Sequence, residues 1–409
     1  MSTDQVPDGP RSLSGRQVPE LHELYRRDLF DDFLPFADRF VVDHELGGFM
    51  CNAAQDGARI SDNKNTWFLG RGIWTYSFLY NHIAREEKYL EIARKAAGFA
   101  LKTKPEGNDL WVKSVTRDGS PVDGPDTEIY SDLFVAIGFA QFAAATGDIE
   151  HWTFARDLAL KCVGIYDRPG YGACGPEGGL PAMPERRILG HWMILLWLSS
   201  QMLLLKPDPE IEALAARCIS AVMDHHYNPD FGLINEYINH DLSRPDNGYA
   251  GLVCTGHAIE TLWMVMAEAL RTGDTALFDL AADRFQRHVV VSWDDVYGGC
   301  LHTVRDVDAY AWDLNKYMWV QEEVLTGTLM LVEHRGSTWA EQMFARTLDY
   351  VKEHLWLTKR GLPLQARAAD RKGAPAPNAT NIDIFHNPRH LMMNLLSLER
   401  MQERLPEGS

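Results

Sequence analysis

Between Tyr249 and Thr272 the apolar residues Leu252, Val253, Ile259, Leu262, Trp263, Val265 and Met266 nearly encircle a helix. That pattern predicts a helix buried on all sides and not an amphipathic surface helix. Comparable apolar helices are expected at about 65–84, 125–146, 185–205, 250–272, 311–335 and 386–403. Before each lies a more polar helix with a small residue at its middle. The first is near 18–43, and the others start at Glu87, Asp148, Asp208, Asp274 and Ser337. These acidic and hydroxyl residues suit an N-cap or first turn. In Thr146-Gly147-Asp148 and Thr272-Gly273-Asp274 a glycine ends one helix just before the next begins. Inside each pair a glycine- and aromatic-rich ribbon is expected: Gly47–Met50, Asp109–Val112, Gly170–Gly172, Phe231–Ile234, Tyr297–Cys300 and Arg360–Pro363. Helix, ribbon and apolar helix recur about every sixty residues, six times. The predicted fold is all-α: a toroid of six helical hairpins, twelve helices in all, with short β ribbons in the loops and the apolar helices forming the inner ring.

Composition adds limits. The chain has 409 residues, 45% hydrophobic, enough for one large repetitive domain, expected over 18–405 after a polar leader at 1–17. A formal charge of −17 argues against nucleic acid, anionic membrane or a polyanionic substrate. The six cysteines show no CxxC pairing and read as reduced thiols. With no apolar signal segment and no run fit to span a bilayer, a cytoplasmic protein is expected. No glycine loop suited to phosphates precedes a helix, so a nucleotide cofactor is not expected. Oligomeric state is open.

Candidate chemistry sits near the start of every inner helix: Trp67 and Arg71; Glu128 and Tyr130; His191; His257 and Glu260; Trp319, Gln321 and Glu322; His386 and Arg389. A toroid brings equivalent positions to one axis, so six distant clusters become one site. At i, i+3, Glu260 can reach His257, fix its tautomer and raise its basicity, which suits a general base; the other reading is a core histidine satisfied by its neighbour. Asn387 as N-cap and Pro388 at N1 would leave His386 just outside the last helix. A helix start between His386 and His390 spoils an i, i+4 metal pair. His191 reads either as a third imidazole of the site or as a packing residue. Arg71 lies among aromatics, as a fork to a substrate oxygen or a salt bridge to Glu128 or Glu322. Trp67, Trp319, Tyr130 and Tyr317 offer flat faces suited to a sugar, or simply core.

Four stretches resemble the motifs of the N-acylglucosamine 2-epimerase superfamily: Asn65-Thr66-Trp67-Phe68-Leu69-Gly70-Arg71, Gly256-His257-Ala258-Ile259-Glu260, Lys316-Tyr317-Met318-Trp319-Val320-Gln321-Glu322 and Phe385-His386-Asn387-Pro388-Arg389. That group includes cellobiose and mannose 2-epimerases and bacterial mannose isomerases. The resemblance implies a metal-free six-hairpin toroid in which His257 and His386 serve as acid and base, Arg71 binds a substrate oxygen and Trp319 is a sugar platform. His191 matches a third histidine typical of members that act on free sugars, which implies an unsubstituted aldose such as mannose or glucose. Tyr317-Met318-Trp319 stands where two adjacent tryptophans are common. The implied reaction is proton removal at C2 through an enediolate, giving the C2 epimer or the ketose. The alternatives are an N-acylglucosamine 2-epimerase, a glycoside hydrolase using Asp126, Glu128 or Glu322, and a sugar-binding protein without catalysis.

Overall fold

The computed structural model describes residues 12–54, 57–175, 180–357, 362–363, 366–367 and 381–404. Twelve helical runs appear among them. The outer helices are α1 (Val18–Arg27, Asp28–Phe33 and Leu34–Phe40 in one run), α3 (Glu87–Lys102), α5 (Ile149–Tyr166), α7 (Pro209–Ser220 with Ala221–His226), α9 (Thr275–Ser292) and α11 (Thr338–Tyr350 with Val351–Leu355). The inner helices are α2 (Thr66–Phe78 with Leu79–Ile83), α4 (Tyr130–Thr146), α6 (Leu189–Leu205), α8 (Thr255–Thr272), α10 (Met318–Arg335) and α12 (His386–Glu403).

Burial separates the two rings as the hydrophobic pattern requires. In α6 every residue from Leu189 to Leu203 is buried. In α3 only Tyr89, Leu90, Ala93, Ala96, Ala97, Phe99 and Ala100 are, a stripe on one face. Each inner helix packs on the next, α2 on α4, then α6, α8, α10 and α12, and α12 returns to the Leu79–Ile83 end of α2 and to α1. The fold is therefore the expected six-hairpin α/α toroid. No helix among the described residues is long and apolar enough to cross a membrane.

In the first five hairpins the ribbons fall where glycines at positive φ, such as Gly48, Gly119, Gly172, Gly232 and Gly299, allow the chain to reverse. Val42 bridges Phe49, Val112 bridges Pro125, Cys174 bridges Met183, Tyr227–Asn228 pairs with Leu233–Ile234, Trp293 bridges Cys300, and Trp356–Leu357 pairs with Leu362–Pro363. Of the sixth expected ribbon, residues 360–361 lie outside the described residues.

A second set of strand pairs was not expected. Lys64–Asn65 pairs with Ser114–Val115, Arg187–Ile188 with Tyr237–Ile238, Val253–Cys254 with Thr303–Val304, and Lys316–Tyr317 with Ala366–Arg367. Each couples the entrance of one inner helix to the loop of the following hairpin. A bridge from Asn381 to Asn52 does the same across the chain's two ends and closes the ring. These pairs explain why α6, α8 and α10 start four to seven residues later than their apolar patterns suggest: the leading residues satisfy their backbone groups in strands, not helix.

Two further expectations are corrected. Residues 12–17 form a small hairpin, Ser12–Leu13 with Arg16–Gln17, and Leu13 is buried, so this part of the stretch expected as a leader belongs to the fold. Residues 1–11 and 405 lie outside the described residues. In α12, Asp383 accepts hydrogen bonds from the backbone N–H of Phe385 (2.8 Å) and His386 (3.0 Å). The helix thus begins at His386, with Asp383 capping it in place of Asn387.

Candidate active site

The entrances of the inner helices meet around the half-buried indole of Trp319. The His257 ring lies 5.7 Å from it, His386 5.3 Å and His302 5.5 Å, centroid to centroid. The approach depends on a missing side chain: a Cβ on Gly256 would stand 2.5 Å from Trp319 Cη2. Only glycine lets α8 come this close to α10 while placing His257 at the next position.

His257 is not paired with Glu260. Its Nδ1–H donates to the Glu236 carboxylate at 3.0 and 3.1 Å. Glu236 follows the ribbon strand Leu233–Ile234 and is 4% exposed. The backbone N–H of Leu189 donates to its carbonyl, and its own N–H donates to Leu252 O, so it is fixed between two inner-helix entrances. The reach of i, i+3 permitted the Glu260 pairing, but Glu260 accepts from Arg389 instead. Against the pull of burial, the Cys254 sulfur and the Glu236 carboxylate hold the His257 pKa well above its ordinary value. This carboxylate fixes the imidazole with Nδ1 protonated and leaves Nε2 for chemistry.

His386 is 7% exposed, with Nδ1 3.3 Å from Asp383 Oδ2. Burial pushes its pKa down to about 4, against the opposing fields of Asp383 and Glu260. His257 and His386, both beside Trp319, are therefore tuned in opposite directions. His390 lies one turn further along α12 and turns away, packing on Tyr25 with its Nδ1 3.4 Å from Glu322. The metal pairing of His386 with His390 fails through this divergence and not through a helix start between them.

Beneath His386, Arg389 donates to Glu260 and to Glu323, each at 2.5 Å. All three are buried, and Arg389 is 1% exposed. Against burial, Arg389 holds Glu260 below the ordinary carboxylate range; Glu323 is pushed up to about 8 by burial, against Arg389 and with Glu260 adding. Arg389 and Glu260 thus support the floor of the site and do not reach into it.

Arg71 is half-buried with its guanidinium over Phe134 (4.2 Å) and Phe385 (5.2 Å) and its Nε without a partner. It is paired with neither Glu128, which lies 3.5 Å from Arg186, nor Glu322. Asp383 and Glu260 are the carboxylates whose fields it feels. Trp67 and Tyr130 meet in a tilted contact, centroids 4.8 Å apart and planes at 47°, both half-buried. His191 is fully buried behind Tyr130, ring to ring at 4.1 Å. Burial holds its pKa well below the ordinary histidine value.

Two expected binding residues lie elsewhere. Gln321 clamps the Cys300 backbone, accepting from its N–H (2.8 Å) and donating to its carbonyl (2.9 Å). Glu322 accepts from Asn387 Nδ2 at 2.6 Å, and burial raises its pKa well above the ordinary range. Both follow Trp319 in sequence, but the helical turn rotates them into the wall.

The residues that sequence reasoning missed are Glu236, Asp383, His302, Cys254 and Glu323. Asp383 had a local signal, an acidic residue three positions before a helix-opening histidine. Glu236 had a weaker one, a lone carboxylate in the apolar alternation Leu233–Ile238. Among the described residues, two groups bring ligand atoms close enough to hold a cation: Glu236, Cys254 and His257, and Glu260, Glu323 and His386. In the second, the Arg389 guanidinium already supplies the positive charge.

The chain as a whole is similar to proteins already known. The family profile of N-acylglucosamine 2-epimerase (GlcNAc 2-epimerase) matches residues 47–387. The N-acylglucosamine 2-epimerase of Bos taurus is 26% identical over 389 residues, covering 90% of this chain and 89% of its own. Among solved structures, cellobiose 2-epimerase from Spirochaeta thermophila superposes with a TM-score of 0.79 at 18% identity, over 94% of this chain and 98% of its own. A D-mannose isomerase gives 0.77 at 14% identity, over 94% and 97%. The chain belongs to the N-acylglucosamine 2-epimerase family and is an enzyme of the isomerase class.

Proposed function

We propose that the protein isomerises a free aldose of the mannose or glucose type at C2, as an epimerase or an aldose–ketose isomerase. The observation that carries this reading is the pair of oppositely tuned imidazoles, His257 and His386, on two inner helices around one tryptophan. In the open-chain sugar, neutral His386 takes the C2 proton, and the electron pair moves onto the C1 carbonyl to give a cis-enediolate. Arg71, with an uncommitted guanidinium edge, donates to its developing negative oxygen. His257, whose imidazolium form Glu236 stabilises, returns a proton. Delivery to C2 from the opposite face, with O1 reforming the carbonyl, gives the epimer; delivery to C1, with the O2 proton passing to O1, gives the ketose. Trp319, Trp67 and Tyr130 supply apolar faces for the C–H side of the sugar.

A second reading, an N-acylated glucosamine or mannosamine as substrate, is favoured by the name of the bovine relative. A hydrolase is disfavoured because Asp126 is engaged with Ser131 Oγ (2.9 Å) and Glu322 is walled in. Incubation with mannose, glucose, cellobiose and N-acetylmannosamine in heavy water, read by NMR, tests these together. Deuterium at C2 or C1 identifies the substrate, and no exchange into any of the four rejects C2 chemistry.

Glu236→Gln should lower kcat by about 10²-fold with little change in KM, because the imidazole loses both its orientation and its counter-charge. An unchanged kcat would remove Glu236 from the mechanism. The pH dependence follows from His386. Its pKa is depressed to about 4, so its neutral form persists as pH falls from 7, and kcat/KM should stay level until pH approaches 4. Asp383 works to raise that pKa, so Asp383→Asn should move the acid limb to lower pH. A limb near the ordinary histidine value would contradict the assignment.

A further inference from the structure

Around His257, Glu236 and Cys254 converge, and His302 touches the Cys254 sulfur, a set that the isomerisation does not need as a whole. Ligand atoms of Glu236, Cys254 and His257 all lie within 4.8 Å of one another. The Cys254 sulfur lies 3.7 Å from Nε2 of His302. We propose that Glu236, Cys254, His257 and His302 form a binding site for a thiophilic divalent cation of the zinc type, and that its occupation reversibly switches the enzyme off.

The spacing suits such an ion. Zinc holds sulfur at about 2.3 Å and imidazole nitrogen at about 2.0–2.1 Å in tetrahedral sites, which puts neighbouring sulfur and nitrogen ligands about 3.6 Å apart. The Cys254–His302 separation is already that edge. The Glu236–His257 contact of 3.0 Å need only open by a few tenths of an ångström as the metal replaces the shared proton.

Backbone register holds the set in place. Val253–Cys254 pairs with Thr303–Val304, with Cys254 and Thr303 as direct partners, and the Thr255 hydroxyl donates to the carbonyls of Leu301 (2.6 Å) and His302 (2.8 Å). The Thr303 hydroxyl lies 2.7 Å from His302 Nδ1, an outer contact that orients the ring with Nε2 toward the sulfur.

Charge balance favours a dication. One thiolate, one carboxylate and two neutral imidazoles around a 2+ ion make a neutral unit where Glu236 and Cys254 are nearly inaccessible. Against burial, His257 and His302 hold the Cys254 sulfur toward its thiolate, so the one proton released to solvent as the ion enters is the Nδ1 proton of the His257 imidazolium. Sulfur and imidazole together select zinc, or cobalt as its probe, over magnesium or calcium. The His257 side chain is 30% exposed, so the set is reached from the sugar side.

With Nδ1 on the metal, His257 can no longer pass between imidazole and imidazolium. That inhibitory consequence rests on the proposed role of His257, whereas metal binding does not. The test begins with Co2+ added to the full chain after dialysis against a chelator. One equivalent should bind, with a thiolate-to-cobalt charge-transfer band and visible bands of tetrahedral intensity. Cys254→Ser should lose the charge-transfer band and His302→Ala should weaken binding at least tenfold, each checked for folding by circular dichroism. Absence of the band, or its persistence in Cys254→Ser, overturns the site. Zinc should inhibit the wild-type protein, with chelator reversing it. Each variant, measured against its own metal-free rate, should need at least tenfold more zinc. Cobalt binding without inhibition would support the site while overturning the place of His257 in catalysis.

Discussion

His386→Asn should lower kcat by about 10³–10⁴-fold, the upper range for loss of a positioned general base, and abolish deuterium exchange at C2. The substitution spares the helix start, because Asp383 caps α12 through the backbone N–H of residues 385 and 386 and not through the imidazole. Circular dichroism and the unfolding midpoint should therefore match the parent. Near-parental exchange in a folded variant would remove His386 from proton transfer, and the reading of the site would then have to be rebuilt around His257 alone.

Arg389→Met should destabilise the protein by about 3–5 kcal/mol, the usual cost of removing one partner from a buried ionic cluster. The guanidinium is the cation between Glu260 and Glu323, and all three are almost wholly removed from water. Its loss leaves two adjacent carboxylates under α12 that must take up a proton or separate. Adding Glu323→Gln should recover part of the loss, since one uncompensated group then remains in place of two, and a double-mutant cycle measures the coupling. Urea unfolding followed by tryptophan fluorescence provides the numbers. A cost below about 1 kcal/mol would mean that water already reaches the cluster.

The toroid was legible in the sequence because its evidence is distributed. Apolar residues all around a helix, as in Leu252–Met266, demand burial on every side, and six repeats of one unit leave few ways to satisfy it. The imidazoles were legible for the same reason, as ionisable groups in segments otherwise fit only for core. Their partners were not. Helical periodicity states which side chains share a face, and so offered Glu260 to His257. The true partner, Glu236, comes from the preceding loop, placed by strand pairs only two residues long and too short to announce themselves. Gln321 and Glu322 were misplaced for a related reason: adjacency to Trp319 in sequence becomes about 100° of rotation per residue on a helix. Asp383 was readable, but Asn387-Pro388 offered a more familiar helix start and hid it.

The bridge between Asn52 and Asn381, together with the bond from Thr75 Oγ1 to Ile384 O across 309 residues, has a consequence for how the enzyme comes into being. His386 arrives with the final helix, while Arg71 and Trp67 belong to the second. On the proposed mechanism, half of the proton-transfer apparatus is missing until the last hairpin docks against the first, and until then Trp74, which packs on Phe385, lacks one of its neighbours. Contacts this distant in the chain form late. On that reading turnover is withheld from partly folded chains, and the first catalytic cycle reports that the circle has been completed.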